Sequence, residues 1–234
     1  MSRGASTITT KLGRVQGFTL VELVVVCLVA GILGGAMLAV YESLLHSWAD
    51  TNHRIVNQDD TRVAINEIAR YLRMAESSAS NLTSQTDAIA LAQPQELVFY
   101  ADIDGNGFPD KVRYYLNGHT LRMAALAPDT STSPPTYPAA YSTDGIVIMD
   151  GIQNGSAPLF TYYKMNPAYA TNPVAANDTL IVISNPTSAA DLASVVAVGI
   201  VLHVNETPGL PNANVSLDTL IQIRQRYNGG LSGA

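Results

Sequence analysis

Residues 17–41 read GFTLVELVVVCLVAGILGGAMLAVY, and this stretch decides how the rest of the chain must be arranged. Between Phe18 and Tyr41 the run is 24 residues long and carries one carboxylate, that of Glu22, with no Lys or Arg. As an α-helix it would measure about 36 Å, more than the roughly 30 Å hydrocarbon core of a bilayer. The sequence therefore predicts a single membrane-spanning helix over residues 18–41, in contact with membrane lipid.

The surroundings of this run are not typical of an ordinary secretory signal. Such a signal has an apolar segment of about 7–15 residues, followed by a cleavage site made of small residues. Here the segment is longer, and the residues that follow it, ESLLH at 42–46, form no such site. The small-residue junction, Gly17-Phe18, lies before the run, at the end of a short leader with three basic side chains, residues 1–17.

Glu22 is the second unusual feature of this stretch. A carboxylate near the mouth of a membrane helix costs up to about 3 kcal/mol, so its presence there indicates a function. The natural partner for it is a cation supplied by another chain.

The order of these features resembles the class III signal of type IV pilins and pseudopilins. The matching residues are Gly17, the aromatic Phe18 and Glu22, placed between a basic leader and a long apolar run. The resemblance implies that a prepilin peptidase of the inner membrane cleaves between Gly17 and Phe18, and that the new amino terminus of Phe18 is N-methylated. It also implies that Glu22, the fifth residue of the mature chain, meets the terminal amine of a neighbouring subunit during filament assembly. The two groups cost less in lipid as a pair than alone.

Composition limits the remaining possibilities. The 234 residues, less the leader, are enough for one long helix and one globular domain of ordinary size. A net charge of −6 gives no general attraction to nucleic acid or anionic lipid, so nucleic-acid binding is not favoured. The single cysteine, Cys27, rules out an intramolecular disulfide and a multi-cysteine zinc site.

The helix is expected to continue beyond the membrane. Residues 42–79 contain neither proline nor glycine, and Ile65, Ile68, Leu72 and Ala75 recur at the spacing of one buried helix face. The sequence thus predicts one helix from Thr19 to about Ala79, with a membrane half and an amphipathic half that forms the spine of a soluble domain.

Residues 80–234 are predicted to form a β-rich globular domain. Asn117-Gly118 is a tight hairpin signal between two strands, and the other strand-like segments are separated by polar loops. The expected strands are 96–101, 111–116, 120–124, 145–149, 159–165, 180–184, 195–204 and 215–227, with a helical turn at 189–194. The predicted fold class is α+β: a long N-terminal helix packed on an antiparallel β-sheet domain, a pilin-like arrangement. The order of elements resembles the larger minor pseudopilins, the J-type of type II secretion and the W-type minor pilins.

The loop DIDGNGFPD, residues 102–110, is the one candidate metal site. Asp102, Asp104, Asn106 and Asp110 occupy the first, third, fifth and ninth positions of a calcium loop, with a glycine at the sixth. At the twelfth position, however, Arg113 stands where a bidentate glutamate would be, and no helix is expected on either side. Two interpretations stay open: a Ca²⁺ site, or a polar hairpin loop, since Asp, Asn and Gly are also what turns prefer. No cofactor is required in either case.

The expected function is structural. The resemblance implies a minor pilin or pseudopilin that is not an enzyme, and no motif for a phosphate loop, a zinc protease or a serine hydrolase contradicts this. Its partners would be prepilin peptidase, other pilins or pseudopilins and an inner-membrane assembly platform. It would lie in the inner membrane as a single-pass protein with its C-terminal domain extracytoplasmic, and then in the filament. The sequence does not show whether the protein belongs to a secretion machine, a pilus or a DNA-uptake machine. The alternative function is an extracytoplasmic binding or adhesive domain tethered by an uncleaved signal anchor.

Overall fold

The fold is taken from a computed structural model of the chain. It describes residues 17–78, 88–141, 144–168, 179–184, 186–205 and 214–223. The chain forms two compact units, Met1–Ala49 and Asp50–Ala234, and the first helix runs through both.

This helix, α1, extends over Leu20–Arg73. Its most apolar window has a mean hydropathy of 2.7 and contains no buried residue, so in length and composition α1 is able to cross a membrane. It begins where Thr19 acts as an N-cap, because the Thr19 Oγ1 accepts a hydrogen bond of 3.3 Å from the backbone N–H of Glu22. The prediction of a helix long and apolar enough to span a bilayer is confirmed.

The second half of α1 has the predicted buried face. Ile68 and Leu72 are fully buried, Ile65 is nearly so, and Ala64 and Ala69 lie beside them on the same face. These residues join the hydrophobic core of the second unit, where α1 packs against the sheets. Packing of one apolar face contributes most of the stability of such a helix in water.

The predicted end of the helix at Ala79 is wrong. Regular α-helix stops at Arg73, and the backbone N–H groups of Met74 and Ala75 bond to carbonyls three residues earlier. The backbone N–H of Glu76 then donates to the carbonyl of Tyr100 in a strand, at 2.9 Å. The helix therefore ends because the chain leaves it to bond with the sheet, although the local sequence contains no helix breaker.

The first sheet has five antiparallel strands in the order β1-β2-β3-β4-β5. The predicted hairpin is confirmed: Asn117 pairs with Thr120 around Gly118, whose φ is 64°. β1 was not predicted, because its sequence IALAQ is rich in alanine and lacks a β pattern. Pairing with β2 makes it a strand. The bounds are β1 Ile89–Gln93, β2 Glu96–Ala101, β3 Asp110–Asn117, β4 Thr120–Leu126 and β5 Ile146–Met149.

The second sheet has four antiparallel strands in the order β7-β6-β8-β9. Its bounds are β6 Phe160–Met165, β7 Leu180–Ile183, β8 Val195–Val204 and β9 Val215–Gln222, and the short helix α2, Ala189–Ser194, precedes β8. The last strand ends at Gln222 and not at Tyr227, and residues 224–227 lie outside the described part of the chain.

The two sheets share one core, so the fold class is α+β, as predicted. Tyr162 of β6 donates its hydroxyl to the carbonyls of Gln93, at 2.8 Å, and Glu96, at 3.1 Å, and so ties the second sheet to the β1–β2 turn. The largest fully buried side chains include Phe99, Tyr114, Phe160, Ile200 and Leu202.

Candidate functional site

The N-terminal site consists of Gly17, Phe18 and Glu22. Gly17 and Phe18 precede α1, and the Phe18 side chain is exposed. A Cβ added to Gly17 would meet nothing within 4 Å, so the described fold accepts a larger side chain there. The described residues therefore impose no steric requirement for glycine at this position. The leader up to residue 16 lies outside the described residues.

Glu22 lies in the first turn of α1, and its side chain is exposed. In this turn a carboxylate interacts favourably with the partial positive charge of the helix N-terminus. With Thr19 as the N-cap, Glu22 also occupies the third helical position, and its backbone N–H is the group that the cap satisfies. Among the described residues no cation forms an ion pair with this carboxylate. The position therefore serves helix initiation and still leaves the carboxylate accessible to another chain.

The acidic loop joins β2 to β3. One carboxylate oxygen from each of Asp102, Asp104 and Asp110 lies within 4.8 Å of the others. The side-chain oxygen of Asn106, the fourth predicted ligand, does not join this cluster. It accepts a hydrogen bond of 2.7 Å from the backbone N–H of Phe108, while the amide nitrogen of Asn106 donates to Asp104 at 2.9 Å. The structure thus brings together three of the four predicted ligands.

The loop is also closed by hydrogen bonds of its own. The carboxylate of Asp102 accepts backbone N–H bonds from Gly105 at 2.7 Å, from Asn106 at 3.2 Å and from Gly107 at 2.9 Å. Both glycines have positive φ, 78° and 85°, which explains their presence in the loop. Burial acts to raise the pKa of Asp102, but these N–H donors outweigh it and hold that pKa below its usual range.

The pKa of Asp110 is shifted in the opposite direction to that of Asp102. Its side chain is buried, and it accepts one hydrogen bond, of 3.3 Å, from the backbone N–H of Ile103. Burial and then the negative charges of Asp104 and Asp102 raise its pKa above the usual value, although the Ile103 bond partly offsets them. A bound cation would remove this repulsion.

The fold adds a fourth carboxylate, Glu76, which sequence reasoning missed. Burial and then the charge of Asp102 raise the pKa of Glu76, while the backbone N–H of Asp102 lowers it by hydrogen bonding. Glu76 follows the end of α1 and is far from the loop in sequence. No motif could have found it, because the bond between its backbone and Tyr100 brings it there.

Arg113 confirms the departure from a complete calcium loop. Its Nε donates to the carboxylate of Glu96 at 2.7 Å, and its guanidinium lies 4.1 Å from the centre of the Tyr115 ring. The twelfth position therefore contributes no ligand. What remains is a concentration of oxygen donors of the kind that a hard divalent cation prefers.

Two comparisons with known proteins were made. No protein-family model matches the chain, and a search of the curated proteins finds no match.

Proposed function

We propose that this chain is a minor pilin or pseudopilin, a structural subunit of a type IV pilus-like or type II secretion filament. The observation that carries the proposal is the exposed carboxylate of Glu22, in the first turn of an apolar helix that begins directly after Gly17-Phe18-Thr19. In this role the chain is not an enzyme, and its work is to pack against other subunits.

Prepilin peptidase would cut after Gly17 and leave the amine of Phe18 at the tip of α1. Phe18 precedes Glu22 by four residues, which is about 6 Å along a helix axis. A neighbouring helix displaced along the axis by about this rise would bring its own amine level with Glu22. Two charges that are each costly in lipid would then be neutralised together.

The same proposal gives the topology. The leader carries Arg3, Lys11 and Arg14, and basic residues next to a membrane helix favour the cytoplasmic side. The first part of α1 would then cross the inner membrane and leave the β-rich domain outside the cytoplasm, next to the assembly platform and other pilins or pseudopilins.

The test is an intact mass and N-terminal sequence of the protein purified from its native membrane. We expect a chain that begins at N-methyl-Phe18. A chain that keeps residues 1–17 in the presence of active prepilin peptidase would contradict the proposal. The better function would then be the alternative one, a binding or adhesive domain tethered by its signal anchor.

Replacing Gly17 by a bulky residue gives a second test. We expect Gly17→Arg to block cleavage while the protein still folds, because the described structure leaves open space at this position. The measurement is the mass of the membrane-extracted chain with and without the peptidase. Normal processing of Gly17→Arg would contradict a prepilin site. As the control for folding, the unprocessed variant should have the same thermal stability as the unprocessed wild type.

We further propose that the loop 102–110 holds Ca²⁺ in this subunit. The three clustered carboxylates support this, since Ca²⁺ takes up six to eight oxygens in proteins. Asp102, Asp104 and Asp110 would be ligands, and Asn106 would need its amide reoriented. The competing interpretation is a turn closed by its own hydrogen bonds. The observation on its side is that backbone N–H groups already donate to Asp102.

A further inference from the structure

One edge of the first sheet carries exposed apolar side chains. β5 is the last strand of this sheet in the part of the chain that the structure describes. Its side chains Ile146 and Val147 are 62% and 49% exposed. Edge strands usually carry charges or a cover, because their outer backbone groups are a template for another strand. β5, with the sequence IVIM, carries no charged side chain that would discourage pairing with another strand.

Helix α1 supplies the opposite wall of a groove along this edge. Val56, Asp60 and Val63 are spaced by four and three residues, so they share one helix face. Val63 is 65% exposed, although it lies next to the buried core residue Ala64. Asp60, Val63 and residues 147–151 line a groove of about 480 Å³, which we call the edge groove.

The charges of the edge groove have one sign. Its lining includes two carboxylates, Asp60 and Asp150, and no Lys or Arg. Among the described residues neither carboxylate forms an ion pair. Asp150 accepts a hydrogen bond of 2.5 Å from the hydroxyl of Thr120, which holds it in place at the end of β5.

The groove has a defined end along the strand. The carbonyl of Gly151 already accepts a hydrogen bond of 2.8 Å from the backbone N–H of Asn205. An added strand could therefore pair only with the four residues of β5 and their immediate neighbours. At about 3.3 Å per residue this is room for a short extended segment, not for a helix or a domain.

We propose that the edge groove binds an extended, positively charged segment of another protein by strand addition to β5. Backbone hydrogen bonds would supply affinity, and alternate apolar side chains would enter the groove between β5 and Val63. Lys or Arg side chains that flank the apolar ones would pair with Asp60 and Asp150 in the groove lining and set the specificity. This inference does not depend on leader cleavage or on filament assembly.

The experiment uses the full chain in detergent micelles and fluorescence anisotropy with a labelled peptide, Lys-Thr-Val-Thr-Val-Thr-Lys. In an extended conformation its lysines and valines lie on one face. We expect this peptide to bind, and the acidic counterpart Glu-Thr-Val-Thr-Val-Thr-Glu to bind at least about fivefold more weakly, the ratio that charge pairs at exposed sites can supply. Empty micelles give the background. Failure of the basic peptide to bind up to millimolar concentration would overturn the proposal.

Val147→Lys and Val182→Lys form a matched pair of variants. Val182 is also an exposed valine of a strand, 54% exposed in β7, but it does not line the edge groove. We expect Val147→Lys to weaken binding of the basic peptide by about fivefold or more, and Val182→Lys to leave it unchanged. Equal effects of the two variants would overturn the assignment to this groove.

Hydrogen exchange separates strand addition from loose surface binding. Bound peptide should slow amide exchange in residues 146–149 and leave β7 unchanged, and slowing elsewhere without slowing in β5 would overturn the proposal.

Sedimentation of the protein without peptide tests a different occupant. Self-association that Val147→Lys abolishes would assign the groove to a second copy of the chain and overturn the commitment to another protein.

Discussion

At the scale of single residues, the cap at Glu22 and the proposed assembly contact of Glu22 use different groups. The cap of α1 uses the backbone N–H of Glu22 and the hydroxyl of Thr19, whereas the proposed assembly contact uses the Glu22 carboxylate. Because the capping bond does not involve the Glu22 side chain, a substitution at this position leaves it in place.

We expect Glu22→Ala to be cleaved normally but to enter filaments poorly. Loss of the carboxylate would leave the amine of a neighbouring subunit without its partner in lipid. The measurement is the fraction of the processed protein in sheared or cross-linked filaments. Thr19→Val is the matched control, because it weakens the cap by about 1 kcal/mol and keeps the carboxylate. Normal incorporation of Glu22→Ala would contradict the pairing.

A second prediction at this scale concerns Gly145, which precedes β5. Its φ is +78°, and a Cβ added there would run into the backbone carbonyl of Met123 in β4. Gly155 also has positive φ, 57°, but its Cβ would meet open space. We expect Gly155→Ala to lower the free energy of unfolding by about 1 kcal/mol, and Gly145→Ala to lower it by clearly more. Thermal unfolding of the full chain in detergent measures both, and equal effects would contradict the contact with Met123.

At the scale of elements, the loop between β2 and β3 brings together like charges that repel one another. Asp110 has a pKa above the usual value, so the folded protein holds the Asp110 proton more tightly than the unfolded chain does. The stabilisation from this proton is present at low pH and is lost as pH rises through the raised pKa. At neutral pH without Ca²⁺, the ionised Asp110 therefore lowers stability.

We expect Asp110→Asn to raise the melting temperature at neutral pH in the presence of chelator. The substitution removes the repulsion from Asp102 and Asp104 and keeps an oxygen for the N–H of Ile103. Added Ca²⁺ should stabilise the wild type and stabilise Asp110→Asn much less, since binding only to the folded state raises stability by mass action. Equal melting temperatures of the wild type with and without Ca²⁺ would instead support the plain hairpin loop.

At the scale of the whole second unit, a buried tyrosine hydroxyl helps to join the two sheets. Tyr162 is buried, and its hydroxyl donates to two carbonyls of the β1–β2 turn. Burial raises the pKa of Tyr162, while the hydrogen bond with Gln93 lowers it, so the hydroxyl stays protonated at ordinary pH. The contact therefore persists over the pH range in which the carboxylates titrate.

We expect Tyr162→Phe to lower the free energy of unfolding by about 1–3 kcal/mol, because two part-buried carbonyls lose the donor that the buried Tyr162 supplies. Thermal unfolding measures this cost. Tyr163→Phe is the matched control on the same strand, since Tyr163 is only half-buried. A cost for Tyr162→Phe no larger than that for Tyr163→Phe would show that the hydroxyl does not hold the sheets together.

The local pattern of the chain determined much of this fold in advance. The apolar run, the buried face through Ile68 and Leu72 and the Asn117-Gly118 hairpin all depend on neighbours within a few residues, and the structure confirms them. The candidate residues at Gly17, Phe18 and Glu22 were found in the same way, from short spacings, and their proposed roles await the tests above.

Contacts between distant segments decided the rest. α1 ends at Arg73 because Glu76 bonds to Tyr100, and alanine-rich β1 is a strand because β2 pairs with it. The bond to Tyr100 also places Glu76 beside Asp102, and the packing of α1 places Val63 opposite β5. A pattern of single residues cannot encode such placements, because each depends on where the backbone of a remote segment offers a hydrogen bond. The sequence by itself determined every described element except β1, and the tertiary structure decided where the elements end and which side chains they bring together.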